Sequence, residues 1–212
     1  MAIVQNPLTG RSKNKFANAV FTTIKGQNIV KSKPLTVSNP RTDAQQLQRQ
    51  KLALLVSLAK LNISLVRTAY KEVEGYAYGA NMFVKYNMPN VGGTVGNVEI
   101  ENQDGWILAK GSLDNVADIS TDTVTSTTVS MDWVDNTGGS SALATDQVRA
   151  VLVSATNSTV LYSTNSFARS AEGGAFTFPA GFINSMNYST YLYTTRAAQG
   201  KNSDSAYGGD IN

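Results

Sequence analysis

Residues 33–75, KPLTVSNPRTDAQQLQRQKLALLVSLAKLNISLVRTAYKEVEG, are the one long stretch of this chain that reads as helix. Asn39-Pro40 favours an extended or turning entry, and Thr42 followed three residues later by Gln45 is a capping-box pattern, so a helix is expected from about Asp43. Leu52, Val56, Ala59, Ile63, Val66, Tyr70 and Val73 recur at alternating steps of four and three, which places them on one helical face. A second row, Leu47, Leu54, Leu55, Leu58, Leu61 and Leu65, widens that face, whereas the first two turns are polar. One unbroken helix over residues 43–74 would be roughly 48 Å long, more than a small domain needs. Asn62 and Ser64 are poor helix formers, so a bend or break is expected there, with Gly75 as the stop.

Upstream, ANAVFTTIKGQNIVKSKPL (residues 17–35) places two β-prone runs around Lys25-Gly26-Gln27-Asn28, which predicts a β-hairpin. A lone two-stranded ribbon is marginal in water and needs a surface to lie on. Residues 10–15, polar and basic, predict an arm or loop. Downstream, YAYGANMFVKYN (residues 76–87) predicts a short further helix and PNVGGTVG (residues 89–96) a linker. The chain therefore divides into a hairpin and helical assembly region, 1–96, and an all-β region, 97–212.

In that second region short β-prone runs recur between turns: 98–101, 106–109, 127–134, 148–154, 159–163, 167–169, 175–178 and 188–194, with a weak last strand at Ala206-Tyr207. Within 127–134, Val129, Met131 and Trp133 alternate onto one face. The expected fold class is α+β: an N-terminal hairpin and a long helix with a break, followed by an immunoglobulin/fibronectin-like sandwich of about seven strands. The absence of cysteine favours the fibronectin-like variant.

The chain has 212 residues, 42% of them hydrophobic, enough for a substantial core. With no Cys and no His, disulfides, thiolate and imidazole metal sites, Cys nucleophiles and histidine bases are excluded, and no cofactor or enzymatic role is expected. The opening MAIVQNPLTGRSKNKF does not read as a signal peptide. The longest apolar run, residues 52–59, falls well short of the roughly 18 residues of a bilayer span, so no membrane insertion is expected.

Charge is divided along the chain. Residues 1–90 carry thirteen Lys and Arg against three Asp and Glu, and residues 91–212 carry five against twelve. Such asymmetry suggests contact between the basic half and nucleic acid, or assembly in which the basic part of one copy meets the acidic part of the next. Lys31, Lys33, Arg41, Arg49 and Lys51 form the densest basic region and are the candidate subunit-interface residues. As phosphate contacts they would make a nucleic-acid-binding protein with strong salt dependence.

Few motifs carry chemistry. Asp132 and Asp135 bracket Trp133, but they end a strand before a Gly-rich loop, where Asp is a normal turn residue. Residues 92–96, GGTVG, lack the following helix and the Lys-Ser or Lys-Thr pair of a phosphate loop. Tyr188, Tyr191 and Tyr193, with Arg196 close behind, could stack on bases or, with Trp106, on sugars. Their half of the chain is acidic, so packing within the sheet is the simpler expectation. The asparagine sequons at Asn62, Asn157 and Asn187 add nothing without a secretion signal.

The run from Lys33-Pro34 through Asn39-Pro40-Arg41-Thr42-Asp43-Ala44-Gln45 to Gln48-Arg49-Gln50-Lys51, before an apolar helix, resembles an uncharacterised family common in Bacteroidetes genomes and their phages. So do Asp132-Trp133-Val134-Asp135-Asn136-Thr137-Gly138, Ala144-Thr145-Asp146 and Ala168-Arg169-Ser170, in that order, and a strand ending in Pro179. The chain departs from that pattern near its start, where Phe21 stands in the hairpin and no Trp precedes the second strand. Similar proteins occur in virions of crAss-like bacteriophages, as ring components of the short tail or neck. The resemblance implies a non-enzymatic virion protein, made in the host cytoplasm, that forms a homo-oligomeric ring, meets other tail or portal-region proteins and gives transient passage to phage DNA. It supplies no catalytic residues. The alternative expectation is a carbohydrate- or host-surface-binding sandwich.

Overall fold

A computed structural model describes residues 2–3, 14–16, 18–24, 27–34, 36, 38–73, 78–101, 104–138, 141–154, 158–179 and 187–211. The chain forms two compact units, residues 1–41 and 42–212. The boundary expected at residue 96 thus falls inside the second unit, because the helices share a core with the sandwich.

In the first unit β1 (Ala2–Ile3), β2 (Asn14–Phe16), β3 (Ala19–Ile24) and β4 (Gln27–Ser32) form one antiparallel sheet in the order β1-β4-β3-β2. The predicted hairpin is β3–β4. Its ladder runs to Ile24 opposite Gln27, so the connection is shorter than the four residues expected, and Lys25-Gly26 lie outside the described residues. Asn14 and Lys15, expected in an arm or loop, belong to β2, while 10–13 lie outside the described residues. Opposed residues share a face, which puts Phe21 with Val30 on one side of the sheet and Val20 with Lys31 on the other. No described side chain of this unit is buried; Val20, Phe21, Ile29 and Val30 are half-covered.

In the second unit α1 (Asp43–Leu61) begins where expected, with Thr42 in extended backbone at its N-cap, although Thr42 makes no side-chain cap hydrogen bond. The helix breaks at Asn62, also as expected, and α2 (Ile63–Ala69) leaves at 96°. Tertiary structure fixes this bend, since the Asn62 amide donates to the carbonyl of Val160 at 2.9 Å and is buried. α2 ends at Ala69, so Tyr70 and Val73 lie in turns, and Gly75 is outside the described residues. The expected third helix is α3 (Gly79–Asn87).

The row of α1 that faces inward differs from the regular four-three series. Leu55, Leu58 and Ala59 are buried, while Leu52 is 46% exposed, Val56 37% and Leu61 69%. The expected linker is likewise part of the core. β5 (Val91–Thr94) pairs with β6 (Asn97–Ile100), and Val91 and Ile100 are buried against the helices. Its glycines answer to crowding and backbone: a Cβ on Gly92 would collide with the Glu101 carboxylate, and Gly93 and Gly96 have φ of +101° and +90°.

Two sheets follow. β7 (Ala117–Val124), β8 (Thr128–Val134) and β12 (Gly173–Thr177) form one, in the order β12-β8-β7. The other joins β9 (Gln147–Ser154), β10 (Thr159–Tyr162), β11 (Phe167–Ala168), β13 (Tyr188–Arg196), β14 (Lys201–Asn202) and β15 (Ala206–Ile211), with β13 between β9 and β14–β15. Val129, Met131 and Trp133 of β8 pack, as the alternation predicts, against Val148, Ala150 and Leu152 of β9 and Leu192 of β13. The outcome is the expected sandwich, with three strands facing the β10-β9-β13-β15 sheet.

Its first strand is β7, which the sequence reading missed, because two register shifts and a positive φ at Asp118 blur its alternation. The expected strand at 106–109 is irregular backbone packed with the helices, and 98–101 is the hairpin strand β6.

The opposite face of the larger sheet is covered as well. Val151, Val153, Val160, Tyr162, Tyr191 and Tyr193 pack against Leu55, Leu58, Val66, Phe83, Trp106 and Leu108. β9 and β13 are therefore buried on both sides. No single helix among the described residues is long and apolar enough to cross a membrane.

Replacing Asn62 with Ala removes the donor to the buried Val160 carbonyl. This should lower unfolding stability by about 1–3 kcal/mol, checked by urea denaturation against wild type; an unchanged midpoint would show that helix propensity alone makes the break.

Candidate functional site

Buried backbone without a ladder must find other hydrogen-bond partners, and residues 106–110 show how this chain supplies them. Asn87 at the end of α3 donates to the Ile107 carbonyl at 2.8 Å and accepts from the Ile107 amide at 2.9 Å. The Tyr70 hydroxyl donates to the same carbonyl, and Tyr162 donates to that of Leu108 at 2.8 Å. Burial pushes the phenols of Tyr70, Tyr162 and Tyr191 well above their ordinary value and that of Tyr193 up to about 12, so all stay neutral. Trp106, Tyr188, Tyr191 and Tyr193 are all buried and offer no ring face for stacking on a sugar or base. They pack, as the acidity of their half suggested.

At one end of the sandwich a second polar cluster forms around Arg169, which is 0% exposed. β8 leads into Asn136, the turn after residue 143 positions Asp146, and β11 delivers Arg169 into the space between them. The guanidinium donates to the carbonyls of Asp114 and Asn115, to the Asn136 side chain and, at 3.4 Å, to Thr194. It lies 3.8 Å from the Asp146 carboxylate. Asp146 also receives Arg196 through Nε at 2.6 Å and Nη2 at 2.8 Å, and the Leu143 amide at 2.9 Å. The backbone joins in, for the Trp133 indole donates to the Arg169 carbonyl at 2.8 Å and the Ser170 amide to that of Ala144 at 3.3 Å.

Electrostatics keep this cluster ionised. Burial raises the Asp146 carboxyl, but the hydrogen bonds from Arg196 and Leu143 and the charges of both arginines outweigh it and hold the group below its ordinary value. Burial lowers the Arg169 guanidinium, opposed by Asp146, Asp135 and Asp114. An enclosed arginine, paired and bonded to backbone, has no route to a ligand, and a carboxylate held by two guanidiniums is a poor proton acceptor. The cluster pins loops.

Asp132 is exposed on β8, and Asp135 accepts from the Thr137 amide at 3.0 Å and from its hydroxyl, the turn role expected of it. The candidate interface residues fall in both units. Lys31, Lys33 and Arg41 are exposed in the first; Arg49 is exposed and Lys51 half-buried on α1 of the second. The sequence reading did not single out Arg169, Asp146 and Arg196 as a cluster. Three of the segments quoted for the resemblance, 132–138, 144–146 and 168–170, meet at Arg169.

A family model described as a family of unknown function (DUF6266) matches residues 10–209. The chain belongs to DUF6266. No curated protein and no solved structure matches it. In this DUF6266 member the match takes in the Arg169 cluster, residues 10–41 of the first unit and residues 42–209 of the second.

Because the folded-state pKa of Asp146 lies below the ordinary 3.8, its contribution to stability is complete above that value and is lost as pH falls through the folded pKa. Asp146→Asn, which leaves Arg169 buried without its counter-charge, should cost about 3–5 kcal/mol at pH 7. In urea denaturation the gap between wild type and variant should narrow as pH drops below 3.8; a gap independent of pH would remove the carboxylate's charge from the account.

Proposed function

We propose that this DUF6266 protein is a non-enzymatic structural component that assembles into a closed homo-oligomeric ring, in a bacteriophage tail or head-to-tail connector. The observation that carries self-assembly is the first unit. A sheet buries apolar side chains only against a second layer, yet among the described residues of this unit none is buried. Its 41 residues also hold seven Lys and Arg and no Asp or Glu, while residues 42–212 hold eleven against fifteen. A partner surface that is part apolar and rich in carboxylate would relieve both imbalances, and a further copy of the chain supplies the carboxylates. Contacts between unlike patches close into a ring when the rotation between neighbours permits.

The placement in a virion rests on the resemblance of residues 33–51 and of the segments around Asp132, Asp146 and Arg169 to tail and neck proteins. In that setting the protein is made in the host cytoplasm, and its neighbours are portal-region and tail proteins. The acidic unit lines the channel, because a surface that repels phosphate lets DNA pass without holding it. Lys31, Lys33 and Arg41 serve the contact between copies.

Wild-type protein should form discrete rings by light scattering and particle-averaged electron microscopy. Charge reversal at Lys31, Lys33 and Arg41 should reduce assembly at least tenfold while circular dichroism stays native. A wild-type chain that remains monomeric at high concentration would overturn the ring.

A further inference from the structure

The ring reading leaves open which part of the second unit receives the first unit of a neighbour, and the sheet β12-β8-β7 carries an answer. From Gly111 to Val148 the chain has six Asp and no Lys or Arg. The inner side of this sheet is used up: Val129, Met131, Trp133 and Phe176 are buried in the sandwich core. Its outer side is uncovered. Ser120 stands opposite Asp132, Asp132 stands opposite Gly173, and Asp118, Asp122 and Asp132 are all exposed, with Val134 exposed among them.

We infer that this outer face of one copy is the docking surface for the basic sheet β1-β4-β3-β2 of the next. The inference rests on the ring reading and names its acceptor. Two independent features select this face. The first is charge: a surface with only carboxylates faces a unit with only bases, whereas the alternative apolar surface, the exposed stripe Leu52 and Val56 on α1, is flanked by Arg49 and Lys60 and would repel it. The second is the sheet it would receive, none of whose described side chains is buried and where Val20 and Ile24 lie on the same side as Lys15 and Lys31. That side pairs apolar residues with two lysines, as the acceptor pairs Val134 with its carboxylates. Two sheets stacked face to face at about 10 Å give both apolar sets cover and bring the ammonium groups within the roughly 8 Å over which charges act at physiological salt.

The test uses full-length protein in light and isotopically heavy forms, mixed, allowed to assemble and joined by a zero-length carbodiimide that links lysine to carboxylate. Heavy-to-light cross-links between Lys15, Lys31 or Lys33 and Asp118, Asp122 or Asp132 are expected. In parallel, Asp118→Lys, Asp122→Lys and Asp132→Lys together should reduce assembly at least tenfold. Mixing that variant with a chain carrying Lys15→Glu, Lys31→Glu and Lys33→Glu should restore it. Inter-copy cross-links that all fall elsewhere, or a triple Lys variant that assembles like wild type, overturn the docking face and leave the ring standing. A wild type that never assembles overturns both. Since the three aspartates are exposed, circular dichroism of the variant should stay native; if it does not, the cross-linking result decides.

Discussion

The burial of β9 and β13 on both faces is the constraint on which the second unit depends. A strand with one solvated side can stand in a two-layer sandwich, but these two central strands carry large side chains in both directions. Val148, Ala150, Leu152 and Tyr188 point to the three-stranded sheet, while Val151, Val153, Tyr191 and Tyr193 point to the helices. Each buried side chain of that size contributes about 1.5–3 kcal/mol relative to exposure, so the helices form the third layer of one domain. The cost of this arrangement is polar backbone in dry places, and Asn62, Asn87, Tyr70 and Tyr162 each answer a particular carbonyl or amide. Arg169 does the same at the far end, gathering the carbonyls of Asp114 and Asn115.

The first unit obeys the opposite rule. It pairs its backbone well, yet none of its described side chains is buried, and its charge is all of one sign. These two properties together argue for a contact outside the unit more strongly than either does alone. Positive charge by itself belongs on any solvated surface, and half-covered valines by themselves are common on proteins.

Much of this could be read from the residues. The hairpin, the start of α1 at Asp43, the break at Asn62 and the alternation of Val129, Met131 and Trp133 follow from local chemistry that the tertiary structure reinforces. What was misread depended on distant partners. α1 is apolar around much of its girth, so periodicity admits two inward faces, and the sheet selects Leu55 and Leu58 over Leu52 and Val56. Residues 91–96 look like a linker because glycine marks both loops and close approaches; only Glu101 lying against Gly92 distinguishes them. The Arg169 cluster was hidden for a related reason, since Lys and Arg are nearly always exposed and nothing local announces a buried guanidinium. The one-signed charge of residues 1–41 was readable throughout, although its boundary was not.

The order of layers has a consequence for how the chain is made. Leu55 and Leu58 on α1 are complete early in synthesis, but the wall they pack against includes Tyr191 and Tyr193, more than a hundred residues later. At roughly 5–20 residues per second this leaves the helical layer partly uncovered for several seconds or longer on the ribosome. During that interval the nascent chain exposes the leucine-rich side of α1, an apolar surface that invites contact with chaperones. Emergence of β13 closes that window, because the helical layer is covered only when Tyr191 and Tyr193 reach it.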